Sequence, residues 1–246
     1  MNAQQVADIL RKSAAEFVGT YIFVLFGPGS VVAFIAAFHQ TLNPSTLFYL
    51  AVTFGLGISI AIMAVANISG GHVNPAVTFS LFVAGRFPGK NVVPYIISQL
   101  LGAVLASATV SVLFGYSTAD AVQFGATIPG IRGPYVAFFG EFVMTFFFLW
   151  TIMGVTSRST NTAVIAVVIG IYVSIMIFML GTVSGGSINP ARSFGPAVLS
   201  GILFKEQYYQ WIYWVAPIIG GTLGALSYKF MYRENTRIHL SDSLPV

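Results

Sequence analysis

"SGGHVNPAVTF" occupies Ser69–Phe79, and "SGGSINPARSF" occupies Ser184–Phe194. Both phrases lie in apolar surroundings. Each opens a short apolar stretch, 74–84 and 189–199, that ends in Gly or polar residues where the chain can turn back. At 1.5 Å per residue such a stretch makes a helix of roughly 15–17 Å, about half of a hydrocarbon core. Asn is suited to cap a helix N-terminus, its side-chain oxygen accepting a first-turn N–H. Pro suits the first helical position, where its missing N–H has no partner to lose. The spacing therefore predicts half-length helices beginning at Asn74-Pro75-Ala76 and Asn189-Pro190-Ala191, with the Asn74 and Asn189 amide groups free to point elsewhere. The preceding Gly-Gly pairs permit unusual backbone. At membrane depth such backbone is tolerated only when buried in protein or lining a wet cavity. The carbonyls of Gly70, Gly71, His72, Gly185, Gly186 and Ser187 are accordingly candidates to line a narrow pore.

Composition places this pair of phrases in a membrane. Of 246 residues, 56% are hydrophobic and only 7% are charged, against roughly 25% charged in soluble domains. Mean hydropathy is +0.83. The apolar runs are of helix-spanning length, about 20 residues, rather than the short alternating strands of a β-barrel. Six spans are predicted at about 13–37, 48–67, 92–115, 134–156, 162–182 and 209–232, in an all-α membrane fold. No cleavable signal peptide is apparent: a polar start ends in Arg11 and Lys12, and the first apolar run carries Glu16. The absence of cysteine excludes disulfides, thiol catalysis and zinc–thiolate sites. No nucleophile–base pair, metal cluster or phosphate loop stands out, so neither an enzyme, a cofactor nor a nucleic-acid partner is expected. Arg11, Lys12, Arg86, Lys90, Arg158, Lys229, Arg233 and Arg237 fall on one side of this topology, and Arg132 and Lys205 on the other. That bias puts both termini in the cytoplasm and turns 38–47, 116–133 and 201–208 outward.

The chain also repeats itself. Glu16-Phe17-Val18 with Thr20 matches Glu141-Phe142-Val143 with Thr145. Tyr95, Gly102 and Ala106 match Tyr213, Gly220 and Gly224. With the two Asn-Pro-Ala phrases, the offsets are 125, 115 and 118 residues. Three spans per half is an odd number, so the second copy enters the membrane upside down. The expected unit is one channel domain over 1–246, with inverted repeats at about 13–115 and 134–232. The two short helices then meet near the midplane from opposite faces. Each N-terminus carries about +0.5 elementary charge, and two aimed at one point oppose cations, protons included. The small-residue pairs suit close helix packing in lipid.

Three charges fall inside the predicted hydrocarbon, where ionisable residues are expensive and default to function. Arg192 follows the second Asn-Pro-Ala, where the first copy has Val77. Glu16 and Glu141 are repeat partners. They read either as proton sites of a coupled transporter or as acceptors that hold the re-entrant loops in shape. His72 reads as a hydrogen-bonded loop residue or a pH sensor. His39 and His239 fall in a loop and a tail. Asn67-Ile68-Ser69 fits a glycosylation sequon but lies at membrane depth.

Taken together, the paired phrases, the repeat and Arg192 resemble the aquaporins of the major intrinsic protein family, in particular its archaeal branch, over nearly the whole chain. The resemblance implies a homotetramer in the plasma membrane with one pore per subunit, passing water and small neutral solutes. It implies that Glu16 and Glu141 are loop scaffold, and that Phe54, Ile177, Gly186 and Arg192 form the selectivity filter. Water-selective members usually carry His at the Ile177 position. Glycerol facilitators usually carry aromatics at the Phe54 and Gly186 positions. This chain has neither arrangement. Ser193, Ala197 and Tyr213-Trp214 resemble the water branch. The expectation is fast water flow with slower passage of glycerol or a similar solute. The alternatives are a broader glycerol-type facilitator, a secondary transporter, or a junction protein with a closed pore.

Overall fold

A computed structural model of the chain describes residues 2–38 and 44–241, with side chains through Tyr232. Residues 39–43, with His39, and the side chains of Arg233, Arg237 and His239 lie outside the described residues. Helices follow in the order α1 (Ala3–Phe38), α2 (Pro44–Ser69), α3 (Pro75–Val83), α4 (Val92–Phe114), α5 (Tyr116–Ala121), α6 (Pro134–Arg158), α7 (Thr162–Leu180), α8 (Pro190–Leu199) and α9 (Ile212–Ser241). Six are long, and α3 and α8 are the two half-length helices expected after the Asn-Pro-Ala phrases. Among the described residues, α1, α2, α4, α6 and α7 are apolar and long enough to cross a membrane. The remaining long helix, α9, is less apolar because Tyr213, Trp214, Pro217, Thr222, Tyr228 and several glycines interrupt its Ile, Val and Leu residues.

Local chemistry accounts for the places where the helices depart from the predicted spans. α1 begins ten residues before the apolar run because its polar start is capped and paired. Asn2 Oδ1 accepts from Gln5 N at 2.9 Å, and Gln5 Oε1 accepts from Asn2 N at 3.1 Å, a reciprocal capping box. Asp8 then pairs with Arg11 at 3.1 Å and Lys12 at 2.6 Å, one turn on. α9 begins later than predicted, after a short turn at Glu206–Tyr208 that Tyr209 closes in the left-handed region at φ 49°. The segment 116–133 holds a short helix, α5, which hydropathy alone does not show.

α1 packs on α4 and α2, α6 packs on α9 and α7, and α2 against α7 joins the halves. The approach is close at Gly102 and Gly220. A Cβ at Gly102 would strike the Phe17 carbonyl oxygen, and one at Gly220 the Phe142 carbonyl oxygen. Small residues thus bring the backbones of α1 and α4, and of α6 and α9, into contact. The half-helices exchange partners. α3 lies chiefly against α9, and α8 chiefly against α4.

Candidate functional site

Two carboxylates, both fully buried, shape the loops ahead of α3 and α8. Glu16 accepts from Ser69 Oγ (2.7 Å), His72 N (2.9 Å), Val73 N (2.6 Å) and Gln99 Nε2 (2.7 Å). Glu141 accepts from Ser184 Oγ (2.6 Å), Ser187 N (2.8 Å) and Ile188 N (2.6 Å). Above each, a tyrosine hydroxyl ties down the loop. Tyr95 donates to Ser69 O and Tyr213 to Ser184 O, each at 2.8 Å. These bonds hold Val73 at φ 54° and Ile188 at φ 48°. A β-branched residue there stores about 1–3 kcal/mol of strain, which charge-assisted bonds to backbone N–H groups offset. Neither carboxylate makes an ion pair among the described residues.

Beyond the strained residues come the caps. Asn74 Oδ1 accepts from Ala76 N at 2.8 Å. Asn189 Oδ1 accepts from Ala191 N at 3.0 Å and Arg192 N at 3.3 Å. Pro75 and Pro190 take the first helical positions. The amide groups, unused in capping, point to the facing loop. Asn74 Nδ2 donates to Ile188 O at 2.8 Å, and Asn189 Nδ2 donates to Val73 O at 2.9 Å. Each loop therefore holds the other by the carbonyl just before its cap, and each amide keeps a second N–H. Strained Val73 and Ile188 turn their carbonyls toward the facing amide, a pairing that no residue pattern within one phrase reveals.

Two cavities flank this junction. The one on the side where α1 begins, called inner after the expected orientation, is about 400 Å³ and is bordered by Gly70, Gly71, His72, Asn74, Ser187 and Asn189 along a wall of Phe23, Ile58, Phe148 and Val173. The outer one, about 440 Å³, is bordered by Phe54, Ile177, Gly185 and Arg192, with Thr46, Leu50 and Gly125. Each is largely apolar with a few polar groups, the usual character of a small-solute site. His72 is held by Thr78 Oγ1 at 3.1 Å from Nδ1, and its ring packs on Phe87 and Tyr95. Asn67 accepts from Thr162 Oγ1 at 2.9 Å.

Arg192 is 2% exposed and, among the described residues, has no carboxylate bonded to it. Its Nε donates to Gly186 O (3.1 Å), Nη2 to Gly185 O (3.3 Å) and Nη1 to Gly125 O (2.7 Å). Its Cζ lies 4.9 Å from the centroid of the Phe54 ring, a cation–π contact. Carbonyl dipoles and a π-face thus solvate the buried cation without neutralising it. Gly185 borders the outer cavity, and the carbonyl oxygens of Gly185 and Gly186 also accept from Arg192. Gly70, Gly71 and His72 remain along the inner cavity. Ile177 and Gly186 fit one another: a Cβ at Gly186, where φ is +62°, would lie 2.8 Å from Ile177 Cδ1. Phe54, Ile177, Gly186 and Arg192 therefore sit together beside the outer cavity.

Sequence reasoning did not find Gln99, Thr78, Gly125, Thr127 or Gln210, all of which hold this site. Gln99 sits one helical turn after Tyr95, itself picked out by the repeat, and that position was a usable signal. Gly125 acts only through its backbone and leaves none.

Comparison with known proteins agrees with this architecture. The family profile described as "Major intrinsic protein" matches residues 3–228. Aquaporin AqpM of Methanothermobacter marburgensis is 38% identical, covering 93% of this chain and all of that protein. Aquaporin Z of Photorhabdus laumondii is 38% identical, covering 92% of this chain and 99% of its own. Among solved structures, the aquaglyceroporin from Plasmodium falciparum superposes with a TM-score of 0.84 at 27% identity, covering 94% of this chain and 99% of that one. Relatives at this identity and coverage, a profile running nearly end to end, and a matching fold place the chain in the major intrinsic protein family, as a multi-pass membrane channel resembling its archaeal members.

Proposed function

We propose that this channel conducts water rapidly, passes glycerol or a comparable small neutral solute more slowly, and excludes ions and protons. The observation that carries the reading is the reciprocal tie between the two capping amides, Asn74 to Ile188 O and Asn189 to Val73 O, with a cavity on either side. Two helix N-termini face one point there, so the passage is positive at this junction. The remaining amide N–H of each Asn donates to a passing water oxygen and orients it, interrupting the donor–acceptor chain along which protons hop. Arg192 adds a fixed positive charge on the outer side.

Solute breadth follows from Ile177. It puts a branched alkyl group where a ring with polar nitrogens would narrow the aperture, while Phe54 and Arg192 keep one aromatic face and one donor set. A broad glycerol-type facilitator is the second reading, favoured by the same residue. The absence of an aromatic side chain at Gly186 opposes it. A proton-coupled transporter is disfavoured because Glu16 and Glu141 already accept from two backbone N–H groups each. The cytoplasmic placement of both termini rests on the Lys/Arg asymmetry. The plasma membrane and a homotetramer with one pore per subunit are the assignments the family resemblance suggests.

The test is stopped-flow light scattering on proteoliposomes. A sucrose step should give shrinkage much faster than in protein-free vesicles, linear in gradient and independent of ions. Glycerol should then re-enter above the lipid background. Water flux at background level would overturn the channel reading, and glycerol flux at background would restrict it to water. A pH-sensitive dye inside the vesicles should report no proton leak under an imposed potential.

A further inference from the structure

Arg192 takes two of its three carbonyl partners from its own loop, and the third and shortest from Gly125, in the outer connection between α5 and α6. That connection is itself latched. Gln210, only 5% exposed, donates from Nε2 to Thr127 O at 2.7 Å. Its Oε1 is buried with no hydrogen-bond partner, so donation is what this amide contributes. Thr127 Oγ1 donates to Ser193 Oγ at 2.8 Å. Ser193 Oγ lies 2.6 Å from Ser187 Oγ, which donates to Asn189 O at 3.0 Å. Because Ser187 spends its proton on Asn189, Ser193 must donate to Ser187, and the hydroxyls form a one-way chain from Thr127 to the capping asparagine. The chain reaches the cap on one side of Arg192, and the Gly125 carbonyl grips the guanidinium on the other.

We propose that Gln210 and Thr127 are positioning residues for the filter. They seat the outer connection so that the Gly125 carbonyl holds Arg192 in place, and so set the aperture between Arg192 and Ile177. Loss of the latch frees Nη1 of Arg192 and lets the guanidinium swing, widening the passage for the larger solute. The inference rests on the channel reading above and adds what governs its selectivity.

The decisive readout is the ratio of glycerol to water permeability in proteoliposomes, which a merely structural contact would leave unchanged. Gln210→Leu and Thr127→Val, both close in shape to the native residues, should raise that ratio about threefold, a small fraction of a filter barrier. Thr127→Ser, which keeps the hydroxyl, should return it to the native value. In an Arg192→Val background Thr127→Val should have no further effect on the ratio, since its action runs through the arginine. Should Thr127→Val fail to reach the membrane, Ser193→Ala cuts the same chain one link on and is read identically. An unchanged ratio in Gln210→Leu and Thr127→Val, or an effect that persists without Arg192, overturns the proposal. A native protein that passes no water refutes the channel reading instead, and the two failures are therefore distinct.

Discussion

The inner loop, Ser69–Thr78, and the outer loop, Ser184–Ser193, carry the same bonds over most of their length and then part. Shared are the carboxylate seat, the tyrosine tie, the strained residue before the cap, and the Asn cap with its cross-bond. They differ in what fills and braces them. The inner loop pairs His72 with Thr78 and is supported from α4 by Gln99. The outer loop pairs Ser187 with Ser193, replaces Val77 by Arg192, and is supported from the outer connection by Thr127. The lesson is a division of labour. Groups common to both loops set the backbone's shape, and groups that differ set the chemistry a solute meets.

The largest effects should come from what is shared. Glu16→Gln and Glu141→Gln each put an NH₂ against backbone N–H donors, and each should cost about 3–5 kcal/mol, near two charge-assisted hydrogen bonds. Thermal unfolding in detergent measures this. A much milder loss in Glu16→Gln would break the equivalence of the two seats. Next comes Arg192→Val, which makes the outer loop copy the inner one. Glycerol permeability should rise about tenfold, equivalent to roughly 1.4 kcal/mol of barrier. Unchanged glycerol flux in stopped-flow scattering would show that the charge difference does not set solute breadth. Ile177→His is smaller: glycerol flux should fall about threefold relative to water, and equal loss of both would remove Ile177 from the filter. Smallest is the contrast at the far ends of the half-helices. Lys229 Nζ donates to Ala84 O at 2.7 Å after α3, whereas at the end of α8 the corresponding carbonyl, Leu199 O, receives Tyr116 OH at 3.5 Å. Lys229→Met should cost about 0.3–1 kcal/mol, the value of a cation at a helix C-terminus. Tyr116→Phe should stay within about 0.5 kcal/mol; a larger loss in thermal unfolding would reverse that order.

Much of this was legible in the chain itself. Apolar run length marked the long helices, and the duplicated Asn-Pro-Ala phrase marked the half-helices, because caps and prolines act within a few residues. Hydropathy missed the first turns of α1, which Asp8 and its basic neighbours hold, since it scores polarity rather than pairing. It also missed α5, a six-residue helix far too short to register. At the site, Glu16, Glu141, Asn74 and Asn189 could be picked out because the repeat duplicated them, Arg192 because it broke step, and Phe54 and Ile177 through the family resemblance. The carbonyl partners could not. Any residue has a carbonyl, so Gly125, Val73 and Ile188 give no sign of what theirs accept. Gln210 belongs to no repeated phrase and reaches the filter only through Thr127, a relay set by tertiary folding.

The exchange of partners between half-helices also orders events during synthesis. α8 emerges from the ribosome when α4, its main support, has already been made. α3 leans chiefly on α9, the final described helix. A nascent chain stopped before Ile212 would lack both the wall on which α3 leans and Tyr213, whose hydroxyl ties down Ser184, so the two halves could join at their asparagines yet neither loop would be fully braced until translation is complete.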